Sequence, residues 1–402
     1  MDLSVTASPT PRAIDAARFV MNGVAPKQAW RPENASEVAD AVKQCATDRL
    51  ALVPWGGGVA LARAGAPERY DVALDLTAMK RVTMYDPEDF TVTAECGITI
   101  ADLREALAAE QQELPLEAAE AWGATLGGVL AANASGARRR AFGAPRDRIL
   151  GARFVTGDGV IAKTGGRVVK NVAGHAVHRL LVGSRGGLGV LLDASLKLLP
   201  QPPARVALLW GADAGNLANR ERWRDWPRRE PAALTVIGRA VAALNPVLAS
   251  DAPYAVVAGF EDHAAWVEDC ATFARDSLGA ARIKVQDLSV PPLWQQLADA
   301  EEMPGTRLTF TTAANTPDAI AFLHGRSVAE RMVFHANCGR LHLWPTADEA
   351  AALVKELEGL GFLLLESRGV AVTGRPGQPA ASEIRRALRR ALDPEGVFAL
   401  GD

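Results

Sequence analysis

Three glycine-rich segments of this chain have a composition that suits the binding of a phosphate group. Residues 54–58 read PWGGG, residues 123–143 read GATLGGVLAANASGARRRAFG, and residues 165–192 contain seven glycines. Consecutive residues without side chains can turn several backbone N–H groups towards one point, which forms a binding site for an anion. Residues without a Cβ atom also allow a flat ring to lie close to the backbone. Together the segments predict a ligand that has both a diphosphate and an aromatic ring system.

Two common nucleotide-binding motifs are excluded by the sequence. No segment matches G-x-x-x-x-G-K-[ST], so there is no P-loop. The spacing Gly183-x-x-Gly186-Gly187-x-Gly189 precedes a predicted strand, whereas the dinucleotide fingerprint follows a strand and opens a helix. Taken singly, residues 56–58 and 123–136 are also compatible with ordinary tight turns. Their occurrence together within residues 31–200 favours a binding site.

Composition limits the class of protein. The chain has 402 residues, a net charge of −3 and a hydrophobic content of 49%. These values favour a globular protein of two or three domains and give no electrostatic reason to expect nucleic acid as a partner. The four cysteines, Cys45, Cys96, Cys270 and Cys338, are far apart and form no Cys-x-x-Cys pair. We therefore expect reduced thiols, with no iron–sulfur cluster and no disulfide framework.

The N-terminal sequence lacks the apolar core of a signal peptide, and no long apolar run suggests a membrane span. We therefore expect a cytoplasmic protein without a transmembrane segment.

Periodicity predicts an α+β order of elements over residues 31–200. One helix begins after Asn34, which can cap it together with Glu37, and another begins after Thr99, which can form a capping box with Asp102. Residues 1–30 are predicted to be a polar lead-in segment with little structure. Strands are predicted for ALVPW, which precedes the first three glycines, and for residues 89–97 and 189–200. Residues 71–76 are predicted to form a half-buried strand. Residues 153–164 are predicted to form a hairpin with its turn at 157–159.

The segment 200–203 (PQPP) is a predicted domain boundary. Beyond it, the pattern predicts helices laid over an antiparallel sheet. The predicted strands are 205–210, 253–259, 307–312, 331–334, 340–344 and 362–366, and the predicted helices are 262–279 and 347–359. Residues 374–380 are predicted to be a linker, followed by a final basic helix.

The glycine segments resemble the FAD-binding domain of the vanillyl-alcohol oxidase type, also called the PCMH-type domain. The resemblance rests on RPENASEVADAVKQCATDRLALVPWGGGVAL (31–61), TLGGVLAANASG (125–136), the third glycine segment and ALDPEGVF (391–398). Within the third segment, VVKNVAGHAVHRLLVGSRGGLGV (168–190) is most similar to the glycolate oxidase branch. The chain looks most like the smaller, FAD-binding E subunits of bacterial glycolate oxidases.

This resemblance implies an α+β architecture with four parts. A lead-in segment (1–30) precedes a two-lobed PCMH-type FAD-binding domain (31–200, with lobes at about 31–88 and 89–200). A smaller α+β, ferredoxin-like cap domain (204–375) follows, and a C-terminal helix (376–402) returns to the FAD domain. The implied cofactor is FAD, held non-covalently, because no histidine or cysteine follows the first glycine segment at 59–61.

The resemblance also assigns residues to the cofactor. The first segment is expected to hold the diphosphate, the second to lie along the ribityl chain and ring, and the third to face the adenine. The cations that could face the flavin are Lys170, Arg179, Arg185 and Arg340. The expected cofactor-binding residues are Pro54, Gly56, Gly57, Gly58, Val59, Thr125, Gly127, Gly128, Asn133, Ala134, Ser135, Gly136, Gly189 and Val190.

His335 and His342 stand where related 2-hydroxy-acid dehydrogenases have two metal-binding histidines that act with a later glutamate. The surrounding motif differs here, since Asn337, Cys338 and Arg340 replace its conserved residues, and the family's Glu-His-Gly is at best residues 366–368, which read Glu-Ser-Arg. We therefore predict no metal and leave the catalytic residue unassigned. His335, His342 and Arg340 remain the candidates for catalysis, and metal binding by His335 and His342 remains the alternative.

The other histidine pair, His175 and His178, is predicted to lie on the polar face of a short helix. Contact with the flavin or an acid–base role is the alternative for that pair.

The resemblance implies a subunit that oxidises a 2-hydroxy acid, glycolate or D-lactate, to the 2-oxo acid through FAD. The implied partners are a larger flavoprotein subunit and an iron–sulfur subunit, with the complex in the cytoplasm, at the inner face of the membrane where its partners attach it. Two alternatives stay open: a FAD-binding assembly subunit without catalysis, and a stand-alone flavin oxidase of a different alcohol or a lactone.

Overall fold

Three sheets of four, five and eight strands, with a further two-stranded sheet, form the part of the chain that the structure describes. The structure is a computed structural model, and it describes residues 11–63, 67–167, 175–223, 229–278, 282–285, 293–302, 305–312, 316–368 and 379–400. The first two sheets are formed by residues before Pro200, and the third by residues after it.

The first sheet has four strands in the order β1-β2-β4-β3. Strand β4 pairs in parallel with both β2 and β3, and helix α1 connects β2 to β3. The predicted cap of α1 is confirmed, because the Asn34 side chain accepts a hydrogen bond from the Glu37 N–H at 3.0 Å. The elements are β1 (Arg12–Ile14), β2 (Gln28–Arg31), β3 (Leu52–Trp55), β4 (Val72–Asp75) and α1 (Ala35–Asp48).

Two expectations for this first sheet were wrong. The described part of the lead-in segment, residues 11–30, has structure, because β1 and β2 belong to the sheet and Phe19, Met21 and Trp30 are buried. The apolar residues of this segment are isolated in the sequence and show no helical or strand periodicity. The residues that they pack against are distant in sequence, so no local pattern predicted this structure. Residues 71–76 are buried throughout rather than half-buried, because both faces of β4 are covered. Val72 and Leu74 pack in one core with residues of α1, and Ala73 packs in another core with Phe19 and Met21.

The second sheet has five antiparallel strands in the order β5-β6-β10-β8-β9, and β7 pairs with β11 beside it. The predicted hairpin is confirmed as β8 and β9, and the predicted cap of α2 is confirmed by the Asp102 N–H, which donates to the Thr99 hydroxyl at 3.0 Å. Strand β5 was not predicted. The elements are β5 (Val82–Asp86), β6 (Thr91–Glu95), α2 (Ile100–Ala108), β7 (Gln112–Glu113), α3 (Leu126–Ala132), α4 (Arg139–Phe142), α5 (Pro145–Arg148), β8 (Ile149–Val155), β9 (Ile161–Gly165), α6 (His178–Leu181), β10 (Val190–Lys197) and β11 (Leu199–Pro200).

The third sheet has eight antiparallel strands in the order β15-β12-β14-β13-β17-β18-β16-β19. Helices over an antiparallel sheet were predicted, and the six predicted strands are present. The structure adds β13 and β15 and the short helices α7, α8, α9, α11 and α12. The elements are β12 (Ala204–Ala212), α7 (Ala214–Ala218), α8 (Arg220–Trp223), β13 (Ala233–Gly238), α9 (Arg239–Ala242), β14 (Tyr254–Asp262), α10 (Ala264–Leu278), β15 (Arg282–Val285), α11 (Leu293–Ala300), β16 (Arg307–Thr311), α12 (Thr316–Leu323), β17 (Met332–His335), β18 (Arg340–Leu343), α13 (Ala347–Gly359) and β19 (Leu363–Arg368).

Both faces of the third sheet are covered. Alternate residues of β12 point to opposite faces, so that Leu208 packs in a core with residues of α10 and α13, while Leu209 packs in a second core with Trp294 of α11. The second core also contains Ala137 from the second glycine segment. One face of the third sheet therefore packs against the region that carries the glycine segments.

The C-terminal residues return to the first sheet. After helix α14 (Pro379–Leu392), the Leu52 N–H donates to the Val397 carbonyl at 2.8 Å and the Ala399 N–H donates to the Leu52 carbonyl at 3.0 Å. Phe398 between them is fully buried. Among the helices described, none is long and apolar enough to cross a bilayer.

A buried ion cluster joins the second glycine segment to the third sheet. It consists of Arg138, Arg205, Glu113, Glu117 and Glu261. The guanidinium of Arg138 lies 2.7 Å from Glu117 and 3.0 Å from both Glu113 and Glu261. Arg205 in β12 lies 2.6 Å from Glu261 and 2.7 Å from Glu113. Burial opposes ionisation of Glu113, but Arg138 and Arg205 outweigh it and lower the pKa of that carboxyl group.

We expect Arg138→Met to lower the free energy of unfolding by about 3–5 kcal/mol, because it leaves buried carboxylates without their partner. The matched control is Arg140→Met, which removes an exposed guanidinium two residues further along. Urea denaturation of both variants under the same ligand conditions measures the difference. Equal midpoints for the two variants would contradict a structural role of the cluster.

Candidate functional site

The three glycine segments converge on one cleft, with a cavity volume of about 330 Å³. One wall is formed by the first and second segments, the third segment closes one side, and polar residues of the third sheet face them. The third segment contributes Gly183, Ser184, Arg185, Gly186 and Gly189, and the face of the third sheet contributes Arg307, Thr309, Arg340, His342 and Glu366, with Glu301 beside it.

The expected cofactor residues come together in this cleft, with one exception. Val190 lies in β10, fully buried and paired with Val155, and it does not line the cleft. The lining residues from the expected set are Pro54, Gly56, Gly57, Gly58, Val59, Thr125, Gly127, Gly128, Asn133, Ala134, Ser135, Gly136 and Gly189. Their contacts with a cofactor stay a prediction.

The first and second glycine segments pack backbone against backbone. A Cβ atom on Gly57 would lie 1.9 Å from the Gly123 carbonyl oxygen, and one on Gly56 would lie 2.1 Å from the Thr125 hydroxyl. No side chain fits at those distances. The protein therefore needs these two glycines for its own packing, independently of any need for close approach by a ligand.

Thr125 also fixes the position of the second glycine segment. Its hydroxyl accepts a hydrogen bond from the Gly128 N–H at 3.3 Å and caps helix α3, while the Gly127 N–H donates to the Cys96 carbonyl at 2.8 Å. The start of α3 is thus fixed both to the first segment and to the end of β6.

The predicted cations separate into two groups. Arg185 and Arg340 line the cleft, whereas Arg179 is exposed on α6 and does not. Lys170 lies outside the described residues. Arg185 pairs with Glu366 at 3.7 Å, and Arg340 donates a hydrogen bond to the Ser135 carbonyl at 3.1 Å.

Neither histidine of the pair His175 and His178 lines the cleft. His175 is exposed, whereas His178 is buried with its Nδ1 3.3 Å from the Thr164 hydroxyl. Burial lowers the pKa of His178, with a smaller contribution from Arg179. These positions give no support to the alternative of flavin contact.

His335 and His342 lie on adjacent strands and on one face of the third sheet. Their Nδ1 atoms are 2.9 Å from the Thr235 hydroxyl and 3.0 Å from the Thr309 hydroxyl. Both Nε2 atoms face the carboxylate of Glu301, at 2.9 Å for His335 and 3.6 Å for His342. All three of these residues are buried, and Glu301 and His342 also line the cleft.

The carboxylate beside the histidines is not the expected one. Glu366 was the nearest match to the family's later glutamate, but it pairs with Arg185 and lies 3.6 Å from the Arg307 guanidinium. Glu301, at the end of α11, takes that place because the helix lies across this face of the sheet. No local pattern in the sequence marks Glu301, since its role depends on where the helix ends in space.

The trio Glu301, His335 and His342 has the geometry of a metal-ligand set. One atom from each residue lies within 4.8 Å of the others. The threonine hydroxyls can hold the proton on each Nδ1, which leaves the Nε2 lone pairs towards the carboxylate. Although Glu301 lies 2.9 Å away, His335 Nε2 makes no hydrogen bond among the residues that the structure describes. Two imidazoles and a carboxylate suit zinc or another divalent transition metal.

Comparison with protein families identifies the glycine-rich region. Residues 26–165 match the family model described as "FAD binding domain". The chain contains an FAD binding domain. Its α+β fold is also that of a solved p-cresol methylhydroxylase, and FAD is its cofactor.

The curated relatives match over less than half of the chain. The chain is 32% identical over 178 residues to glycolate oxidase subunit GlcD of Bacillus subtilis, covering 44% of this chain and 38% of the relative. It is 39% identical over 169 residues to glycolate oxidase subunit GlcE of Escherichia coli, covering 42% and 47%. A D-lactate dehydrogenase of Anaerostipes hadrus is 34% identical over 175 residues, covering 43% and 36%. The chain thus spans less than half the length of these relatives.

Solved structures share the fold over nearly the whole chain. A p-cresol methylhydroxylase superposes with a TM-score of 0.70 at 17% identity, covering 94% of this chain and 88% of the other. An alkyldihydroxyacetonephosphate synthase gives 0.68 at 18% identity, covering 94% and 77%. The likeness extends beyond the FAD binding domain into the third sheet.

Because residue 57 accepts no side chain, charge in the cleft is better tested at Val59, which lines it. We expect Val59→Asp to weaken FAD binding at least tenfold relative to Val59→Asn, since a carboxylate near the diphosphate repels it while the amide has the same shape. The measurement is the FAD retained per chain and the dissociation constant of FAD added back to the apoprotein. Equal affinities would mean that the first glycine segment does not hold the diphosphate.

Proposed function

We propose that this chain is the FAD-binding subunit of a glycolate oxidase-like complex and oxidises a 2-hydroxy acid to the 2-oxo acid. The observation that carries this proposal is the single cleft in which three glycine segments face the polar residues of the third sheet. Its relatives named as glycolate oxidase subunits and D-lactate dehydrogenases support the same class of reaction.

The residues that line the cleft fit FAD. The bare amides of residues 56–58 suit a diphosphate, and the absence of side chains along 127–128 leaves room for a flat ring. Bound FAD supplies the acceptor for the two electrons of CH–OH oxidation. The chain's own residues hold and orient the cofactor and the substrate, and the face of the third sheet supplies the charged groups opposite the glycine segments.

Non-covalent binding is consistent with the side chains in the cleft. Residues 59–61 offer no nucleophile beside the first segment. Cys96 also lines the cleft, but burial, followed by the charges of Asp193 and Glu95, raises the pKa of its thiol. The thiol therefore stays protonated and unreactive at neutral pH.

The proposal includes partner subunits. The four cysteines are separated along the sequence and form no Cys-x-x-Cys pair, so an iron–sulfur cluster in the electron-transfer path belongs to another chain. A larger flavoprotein subunit and an iron–sulfur subunit complete the proposed complex, which lies in the cytoplasm, at the inner face of the membrane where the partners attach it.

Reduction of the bound flavin tests the proposal directly. We expect glycolate, added without oxygen to the purified yellow protein, to bleach the flavin absorbance near 450 nm on the order of seconds or faster, as for an ordinary turnover rate. D-Lactate and a sugar lactone are the comparison substrates. Rapid bleaching by the lactone alone would replace the proposal with a stand-alone oxidase.

The assembly alternative has its own outcome in that experiment. A flavin that glycolate reduces only after the larger flavoprotein subunit is added would assign oxidation to the partner. This chain would then be a FAD-binding assembly subunit, and co-purification with the partner would be unchanged.

Binding of a metal ion by Glu301, His335 and His342 is the second candidate function. It is favoured by the direction of both Nε2 atoms towards one carboxylate on the wall of the cleft. Separations of 2.9 and 3.6 Å between ligand atoms are compatible with one ion at about 2.0–2.2 Å from each.

We expect the chelator-treated protein to take up about one Zn²⁺ or Mn²⁺ per chain, and Glu301→Gln to weaken this uptake at least tenfold, since it removes the only anionic ligand of the trio. Glu366→Gln is the matched control on the same wall. Metal content by elemental analysis and calorimetric titration give the result. No uptake by the unaltered protein would mean that the trio is a buried imidazole–carboxylate cluster instead.

A further inference from the structure

Two guanidinium groups meet at one serine on the wall of the cleft. Arg139 donates a hydrogen bond to the Ser135 hydroxyl at 2.7 Å. Arg340 donates to the same hydroxyl at 3.3 Å and to the Ser135 carbonyl at 3.1 Å. Arg139 begins helix α4 and Arg340 begins strand β18, so the contact joins the second glycine segment to the third sheet.

These two positive charges have no acidic partner within 4.0 Å in the part of the chain that the structure describes. Their neighbours differ in this respect. Arg138, the next residue along, reaches three carboxylates of the buried ion cluster, and Arg307 lies 3.6–3.7 Å from Glu302 and Glu366. The excess of positive charge is thus local to Ser135.

The guanidinium groups of Arg139 and Arg340 lie close together although their like charges repel each other. Arg139 and Arg340 are both partly buried, and their guanidinium groups lie 2.7 and 3.3 Å from the same hydroxyl. An arginine remains protonated under these conditions. Like charges in a partly closed site cost free energy unless an anion completes the site.

The donors that remain suit a carboxylate. Each guanidinium has five N–H donors in a planar fork, and only a few are used by Ser135. The Ser135 hydroxyl accepts from both arginines, so its own proton is available as a further donor. Two oxygens of one carboxylate can therefore be bound from two directions.

The strand sets the direction of the bound molecule. Arg340 and His342 are alternate residues of β18, so they lie on the same face, and both line the cleft. A molecule anchored by its carboxylate at Arg340 would extend along β18 towards His342 and Thr309. A hydroxyl on the adjacent carbon would then face those polar groups.

We propose that Arg139, Arg340 and the Ser135 hydroxyl form a carboxylate-binding site at the wall of the cleft, which Ser135 and Arg340 line and which Arg139 reaches through its hydrogen bond to Ser135. The identification of its occupant as the carboxylate of the 2-hydroxy acid rests on the function proposed above, whereas binding of a small carboxylate does not. Arg340 contacts the anion from the third sheet, and Arg139 contacts it from the FAD binding domain.

Oxalate is a suitable probe, because it is a small carboxylate that carries no CH–OH group to oxidise. Its dissociation constant is measured on the FAD-loaded full chain, by calorimetry and by the change in flavin absorbance. We expect Arg340→Met and Arg139→Met each to raise that constant at least tenfold. We expect Arg140→Met, which removes an exposed neighbouring charge, to leave it unchanged. FAD content and circular dichroism establish that each variant is folded.

A second measurement separates this site from a flavin-stabilising role. If both Met variants shift the midpoint potential of the flavin and leave the oxalate constant unchanged, the arginines act on the flavin and the proposal is overturned. Unchanged oxalate binding in either variant also overturns it. With glycolate as substrate, the expected change is a rise in KM that exceeds the fall in kcat.

The two proposals can fail separately. Arginine-dependent oxalate binding, combined with a flavin that glycolate does not reduce, would keep the carboxylate site and remove the 2-hydroxy acid as its occupant. If glycolate reduces the flavin but neither arginine variant changes the dissociation constant of oxalate, the proposed function is retained and the carboxylate-binding site is rejected.

Discussion

The approach of the first glycine segment to the second, backbone against backbone, is the constraint on which the cleft depends. With the Gly57 Cα carrying no side chain, the Gly123 carbonyl can lie where a Cβ atom would be. Thr125 then lies against Gly56 and caps α3, which places residues 127–136 along one wall. A side chain at either glycine would push the segments apart, and the N–H groups of the two segments would no longer face the same space. The two glycines are thus required first for the packing of the segments, and the space for the ligand results from that packing.

The position of the third sheet relative to that wall depends on charge as well as on apolar packing. The buried ion cluster places two arginines between three carboxylates, with both guanidinium carbons 5.6 Å from the centre of the Trp294 ring. Such a cluster contributes less to stability than apolar groups of the same volume would, because desolvation opposes the attraction. Its geometry is specific, however, since one guanidinium fits between its acceptors in few orientations. Arg138 and Arg139 are adjacent, so the cluster lies next to the backbone position from which Arg139 reaches Ser135.

The sequence predicted the features that depend on residues close together in the chain, and it did not predict those that depend on packing between distant residues. The caps at Asn34 and Thr99, the β8–β9 hairpin and the glycine segments depend on residues within a few positions of each other, so their patterns are visible in one chain. Strand β13 lies in a continuous apolar stretch that fits a buried helix as well as a strand. The buried segments before residue 30 have partners that are distant in sequence. Glu301 shows the same limit within the candidate site. Its neighbours His335 and His342 were identifiable from their resemblance to a motif of related dehydrogenases, whereas no pattern in the sequence marks a single carboxylate at the end of a helix.

The distribution of charge around the cleft bears on the class of substrate in the proposed function. Arg307 and Arg185 lie close to Glu366, and Glu302 adds a second carboxylate to Arg307, so these cations are largely neutralised within the protein. Arg139 and Arg340 are not, and their charge acts over the short distance to Ser135. A neutral alcohol or lactone would leave that charge uncompensated and would gain nothing from it, whereas an acid would neutralise it. Binding a substrate anion in a site of low polarity is favourable only where such a charge is already present. For the function proposed above, the same two guanidiniums therefore favour a hydroxy acid over the neutral substrates of a stand-alone oxidase, at the junction of the second glycine segment and the third sheet.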